Sequence, residues 1–195
     1  MDNSEQFEPI PGARFRMEFI EGTEWTVTRA SRNWLVIPFI SVWLIGWTAG
    51  GIAAVTQFIR GEAQLFLAVW LVGWVFGWLF AATWLGWQLA GRLQISVQGG
   101  ALVYQWSMPL VTKTKRYDTQ QIRNLRAGRA TWPWGSGFMS VSYPPFIPTV
   151  PGSVQFDYGG RTVNVMPGLD EAEGSMIVDW LAPRLPTSAT NARRG

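Results

Sequence analysis

Side chains able to carry chemistry are few in kind here: thirteen Asp and Glu, sixteen Lys and Arg, no His and no Cys. That set removes imidazole general bases, thiolate nucleophiles, disulfides and zinc sites built on His or Cys. Carboxylates remain, but Asp157, Asp170, Glu171, Glu173 and Asp179 fall at turn, cap and helix-surface positions rather than as a facing catalytic pair. Gly-rich spots lack the following Lys-Ser or Lys-Thr that a phosphate-cradling loop requires. These residue types predict a protein that binds rather than one that catalyses, with no cofactor and no metal.

Two groups of residues have the chemistry of binding. From Arg92 to Arg129 seven basic residues (Arg92, Lys113, Lys115, Arg116, Arg123, Arg126, Arg129) stand against one acid, Asp118. Such a patch would attract anionic lipid headgroups at about 1 kcal/mol per basic side chain near a membrane surface. The competing reading is a solvated face that helps to set topology. Nucleic acid is not expected, because the whole chain carries a net charge of only +3 and no recognition motif accompanies the patch. The second group runs from Arg129 to Gly152, where Trp132, Trp134, Phe138, Tyr143 and Phe146 are interleaved with prolines and glycines. A loop of this length is uncommon in a compact domain unless it is functional or disordered, and its aromatics argue against plain disorder. It reads either as a loop folded over the domain, hiding a strand near Phe138–Ser142, or as an interaction loop.

Both groups need elements to position them, and the strongest signal for those is hydropathy. Between Arg32 and Arg60 lie 27 residues without a charge, and between Glu62 and Arg92 another 29. Each exceeds the ~20 residues that cross a hydrocarbon core, so two transmembrane helices are expected over 33–59 and 63–91, joined by a turn at 60–62. Pro38 fits either a helix start or a mild kink. Arg29, Arg32 and Arg92 flank one end of the spans and Arg60 the other, an asymmetry that predicts cytoplasmic termini and a periplasmic turn in a bacterial inner membrane. The 1–32 segment, with six acidic and four basic residues, lacks the pattern of a cleaved leader. Uncharged spans disfavour a transporter, since intramembrane pathways usually require buried charge.

Eight of the thirteen tryptophans fall in or beside this hydrophobic third. Trp34, Trp84 and Trp87 sit where an interfacial belt belongs. Trp70, Trp74 and Trp78 recur every fourth residue, forming a stripe on one helix face, and Trp74 should lie deep. Gly46-xxx-Gly50 (continuing to Gly51) and Gly73-xxx-Gly77 permit close backbone approach. Self-packing of the hairpin accounts for these stripes in the plainest way. The alternative is a contact surface for partner subunits, lipid, a quinone or a pigment ring.

After the second span, Leu93, Ile95 and Val97 alternate with polar residues. Gly99-Gly100 then turns the chain, and Leu102, Tyr104 and Trp106 alternate on the return. A strand over Lys113–Tyr117, a capped turn at Asp118–Gln121, a strand over Ile122–Ala127 and a second hairpin around Gly159-Gly160 follow. Asp170 with Glu173 forms a capping box opening a helix that Pro183 stops. The alternation of Phe15, Met17 and Phe19, then Trp25 and Val27 past Glu21-Gly22, allows a further hairpin that joins this domain.

The expected fold class is a membrane helical hairpin plus an α+β domain over 92–185, a mostly antiparallel half-barrel capped by a C-terminal helix, with 186–195 as a flexible tail. This order resembles the pleckstrin-homology-like domains of bacterial membrane proteins. Arg32-Asn33-Trp34, Tyr117-Asp118, Ile122-Arg123-Asn124-Leu125-Arg126, Phe156-Asp157-Tyr158-Gly159-Gly160 and Gly168-Leu169-Asp170-Glu171-Ala172-Glu173 look like those of a family of uncharacterised two-span bacterial membrane proteins. The resemblance implies structural motifs rather than catalytic ones. Phosphoinositide-binding relatives carry basic residues around the first hairpin loop, whereas Gly99-Gly100 is uncharged, which disfavours that specificity. The expected function is therefore a non-enzymatic accessory, assembly or scaffold protein that contacts membrane lipid and other integral membrane subunits, with homo-oligomerisation open. The alternative is a membrane-anchored sensor of anionic lipid.

Overall fold

The computed structural model describes residues 12–20, 22–30, 32–61, 64–128 and 152–190. Two short strands, β1 (Phe15–Ile20) and β2 (Thr23–Arg29), precede two long helices, α1 (Val36–Ile59) and α2 (Gln64–Ala90). Strands β3 (Arg92–Gln98), β4 (Ala101–Met108), β5 (Val111–Asp118) and β6 (Arg123–Ala127) follow, then β7 (Gly152–Tyr158), β8 (Arg161–Pro167), helix α3 (Glu171–Leu181) and a single turn, α4 (Thr187–Thr190).

The first five strands form one antiparallel sheet in the order β1-β2-β3-β4-β5, and the last three form a second sheet, β6-β7-β8. The N-terminal hairpin thus joins the domain, as the alternation of Phe15, Met17 and Phe19 allows. One face of the large sheet supplies Phe15, Leu93, Ile95, Leu102, Tyr104 and Trp106 to a core completed by Ile122, Val154, Phe156, Val165 and the α3 residues Ile177, Trp180 and Leu181. Gly99-Gly100 and Gly159-Gly160 all have positive φ, the requirement of tight two-residue hairpin turns that suit glycine. The capping box holds as expected: Asp170 accepts from the Glu173 amide, and the Glu173 side chain accepts from the Asp170 amide. Past Leu185 the described chain stays ordered, with Ala189 of α4 buried, so the packed domain extends beyond 185 into the segment expected as a tail.

The long helices are inserted between two neighbouring strands. β2 pairs with β3 in a register that sets Arg29 opposite Arg92, and the Ala30 amide continues the ladder to the Gly91 carbonyl at 2.9 Å. At 24 and 27 residues the helices are about 36 and 40 Å long, more than the ~30 Å of a hydrocarbon core. A soluble core helix of that composition would be mostly buried; here only 17% and 11% of the most apolar windows are. Both helices are long and apolar enough to cross a membrane.

Pro38 occupies the third residue of α1, where its missing N–H has no intrahelical acceptor to lose, and so it belongs to the helix start. Asn33 caps that start: its Oδ1 accepts from the Leu35 and Val36 amides at 3.0 and 3.2 Å. Arg32, one residue earlier, donates to the Leu89 carbonyl at the end of α2, the negative end of the helix dipole. The Arg32-Asn33 pair therefore caps one end of each helix, a structural use for that motif.

Candidate functional site

Within the hairpin the tryptophan stripe turns toward α1. A Cβ added at Gly51 would run into the Trp74 ring, and one at Gly77 would lie 2.9 Å from the Trp47 ring. Each helix thus lends a glycine as the seat for the other's indole, and the two rings meet edge-on with centroids 6.0 Å apart. Trp78 Nε1 donates to Thr48 Oγ1 at 2.9 Å across the pair, while Ser41, Thr48 and Thr56 hydroxyls donate to carbonyls four residues earlier. Backbone and hydroxyl groups are thereby satisfied without solvent, as an apolar surrounding requires. Trp70 stacks on Trp74 at the margin of this cluster.

The other glycines behave differently. Gly46, Gly50 and Gly73 are exposed, and nothing lies within 4 Å of a Cβ built on them. With Ala49 and Ala53, also exposed, Gly46 and Gly50 make a small-residue row at helical spacing along one face of α1. That row is not used by α2.

Trp87 departs from the interfacial-belt expectation. It is fully buried and belongs to the same core as Leu93, Ile95 and Trp106, so the last turn of α2 is packed into the β domain. Hairpin and domain are joined by a core side chain as well as by the chain itself.

The basic residues are divided among several places. Lys113, Lys115 and Arg116 are exposed on β5, an edge strand whose charges also discourage unwanted strand pairing. Arg123 and Arg126 belong to the second sheet and are engaged locally. Arg123 Nη1 donates to the Gln120 and Ile122 carbonyls and to Ser188 Oγ, and Arg126 pairs with Asp157 at 3.4 Å. Asn124, held at a φ of 53° in the irregular stretch of β6, donates to the same carboxylate at 3.0 Å. The Asn124 bond, a Thr162 hydroxyl and the Arg126 charge hold the Asp157 carboxyl below its ordinary range. Residues of β6, β7 and β8 meet here, and their contacts lock strand ends. Arg129 and the aromatic group Trp132, Trp134, Phe138, Tyr143 and Phe146 lie outside the described residues.

Arg92 stands apart from the lysines, at the foot of α2. Arg29, Arg32 and Arg92 line a cleft of about 180 Å³ there with Gln88 and Gly91. Gln88 is buried, and its Nε2 has no hydrogen-bond partner. A neighbouring cleft of about 210 Å³ shares Arg29 and Ala30 and adds Arg14 and Thr28, whose buried Oγ1 is also unpartnered. Sequence reasoning used Arg29 and Arg32 for orientation, with Arg32 also in the Arg32-Asn33-Trp34 motif, and gave Gln88 no role. The available signal was their position within a few residues of both span ends. The β4–β5 turn lies at this same end, since Arg92 pairs with Ser107 and Ser107 with Thr112, and Leu110 at its tip is 95% exposed.

No acid cluster competes with this cleft: among the described residues no three of His, Cys, Asp and Glu gather as a metal site. Burial raises the Tyr104 and Tyr117 phenols above their ordinary value, so both stay protonated at neutral pH. No protein-family model, no curated protein and no solved structure matches the chain.

Proposed function

We propose that this chain is a non-enzymatic integral protein of a bacterial inner membrane, an accessory, assembly or scaffold component that holds other membrane subunits. The observation that carries the reading is the open row Gly46, Ala49, Gly50 and Ala53 on α1. Small residues let helix backbones approach closely, and inside the hairpin that work is done by Gly51 and Gly77 instead. The row is therefore free for a transmembrane helix of a partner subunit. In this reading both helices span the bilayer, with Arg29, Arg32 and Arg92 on the cytoplasmic side and Arg60 on the periplasmic side. The exposed Leu110 tip then meets the cytoplasmic headgroup region. Two antiparallel sheets of consecutive strands with α3 against the core support a pleckstrin-homology-like domain on that side, available to a partner's soluble face.

A photo-cross-linking residue placed at Ala49 of the full chain in native membranes tests the proposal. A discrete adduct with a different membrane protein, abolished by Gly50→Leu, is expected. Adducts with lipid alone would remove the scaffold reading, and adducts with the chain itself would replace it with a homo-oligomer.

A further inference from the structure

The pairing of β2 with β3 places Arg29 directly opposite Arg92, on the sheet face away from Leu93 and Ile95. Directly opposed residues of an antiparallel pair hold their Cβ atoms about 4.5–5.5 Å apart, and like charges at that spacing repel. Among the described residues no acidic side chain forms an ion pair with Arg29, Arg32 or Arg92; the four ion pairs belong to Arg14 (two of them), Arg126 and Arg184. The cleft these three arginines line is floored by Gln88, which is 1% exposed. Its Oε1 accepts from the Asn33 amide at 3.4 Å, which directs the unpaired Nε2 donors elsewhere. A buried amide without an acceptor and two arginines at directly opposed ladder positions are each unfavourable, and a single anion in the cleft would relieve both.

We propose that this cleft binds a phosphate group, taken from the headgroup of an anionic lipid. Arg29 and Arg92 would donate to its oxygens from two adjacent strands, Gln88 Nε2 from the last turns of α2, and Arg32 from the chain entering α1. Guanidinium forks match phosphate oxygens with paired hydrogen bonds, which a lysine patch does not. The cleft lies where the two apolar helices leave the sheet, at the depth where headgroups sit if those helices span, so lipid is the source that geometry favours. This site is separate from Lys113, Lys115 and Arg116, and it does not depend on a partner helix occupying α1.

The test uses the full chain in nanodiscs of phosphatidylcholine, with and without phosphatidylglycerol, reading thermal unfolding and the lipid retained in native mass spectrometry. A parallel arm titrates inorganic phosphate into the protein in neutral detergent. Phosphatidylglycerol should raise the unfolding midpoint and remain bound, and Arg92→Gln should weaken its retention about tenfold through loss of a charge-assisted contact. In pure phosphatidylcholine the same variant should unfold no lower than the parent, because it removes the Arg29–Arg92 repulsion. Arg92→Lys keeps the charge and should still lose retention, which covers a Gln variant that fails to fold. Unchanged retention in both variants would overturn the site. So would an equal loss from Lys113→Gln with Lys115→Gln, which would mean diffuse attraction. Stabilisation by inorganic phosphate with no preference for phosphatidylglycerol would overturn the lipid source.

Discussion

Arg14 and Arg29 stand at the same end of neighbouring strands β1 and β2, and their surroundings are opposite in kind. Arg14 is closed within the chain: its backbone amide and guanidinium make four hydrogen bonds to the Glu173 carboxylate, the shortest at 2.7 Å, and Asp170 lies 3.6 Å away. Arg29 faces another arginine across the ladder and has no acidic partner among the described residues. The helical hairpin repeats the contrast with glycines, since Gly51 and Gly77 are filled by indole rings while Gly46 and Gly50 open onto nothing. Closed contacts of this kind account for the fold. The open ones are unfavourable or idle within the chain, and the proposals above rest on them.

Removing the closed contact should have the largest effect. Glu173 is 7% exposed, ties the start of β1 to α3 and serves as half of the capping box. Glu173→Ala should therefore lower stability by about 2–3 kcal/mol, the scale of losing charge-assisted hydrogen bonds and leaving Arg14 with only the more distant Asp170. Glu173→Gln should cost less, because it keeps an acceptor for the cap. Denaturant unfolding of the full chain in detergent measures both, and equal losses would mean that the ion pair, not the cap, dominates.

Acid should act on the same contact. Burial alone would raise the Glu173 carboxyl, but hydrogen bonds from the Arg14 side chain and amide and from the Asp170 amide outweigh it and leave the group below its usual value. A carboxyl depressed on folding contributes stability that is fully present above its unfolded value and is lost as pH falls through the folded one. The unfolding midpoint should therefore decline as pH drops below the ordinary glutamate range, and Glu173→Gln should flatten that decline. A slope unchanged by Glu173→Gln would assign the acid sensitivity to other carboxylates, with Asp157 first among them.

How much of this was legible depends on how local each signal is. Gly-Gly turns, the Asp170–Glu173 box and the two uncharged runs are set by neighbours in sequence, and all were readable. The joining of β1–β2 to the domain was half visible in the alternation of Phe15, Met17 and Phe19. Trp87 was not: a tryptophan at a span end has the same sequence whether it meets headgroups or the β core, and only the direction of the last turn of α2 decides. The basic run read as one patch, yet Arg123 and Arg126 answer to carbonyls and to Asp157, a partner 31 residues from Arg126. The Arg29–Arg92 pair is hidden for a related reason, because its members are neighbours only once the whole hairpin is treated as an insertion between paired strands.

The glycines offer the smallest and sharpest test. Gly51→Ala would put a Cβ into the Trp74 ring, whose retreat is limited by Trp47 and Trp70 packed against it, so a loss of roughly 1–2 kcal/mol is expected for overpacking. Gly50→Ala, one residue away on the open face, should be neutral or slightly stabilising, since alanine lowers the conformational freedom that glycine loses in a helix. Comparing the two in detergent removes every difference except the direction each glycine faces. Trp74→Ala should abolish the cost of Gly51→Ala in the double variant, because the atoms it meets are gone. If Gly50→Ala proved as damaging as Gly51→Ala in the isolated chain, the α1 row would be a closed contact after all, and the case for an outside helix there would fall with it.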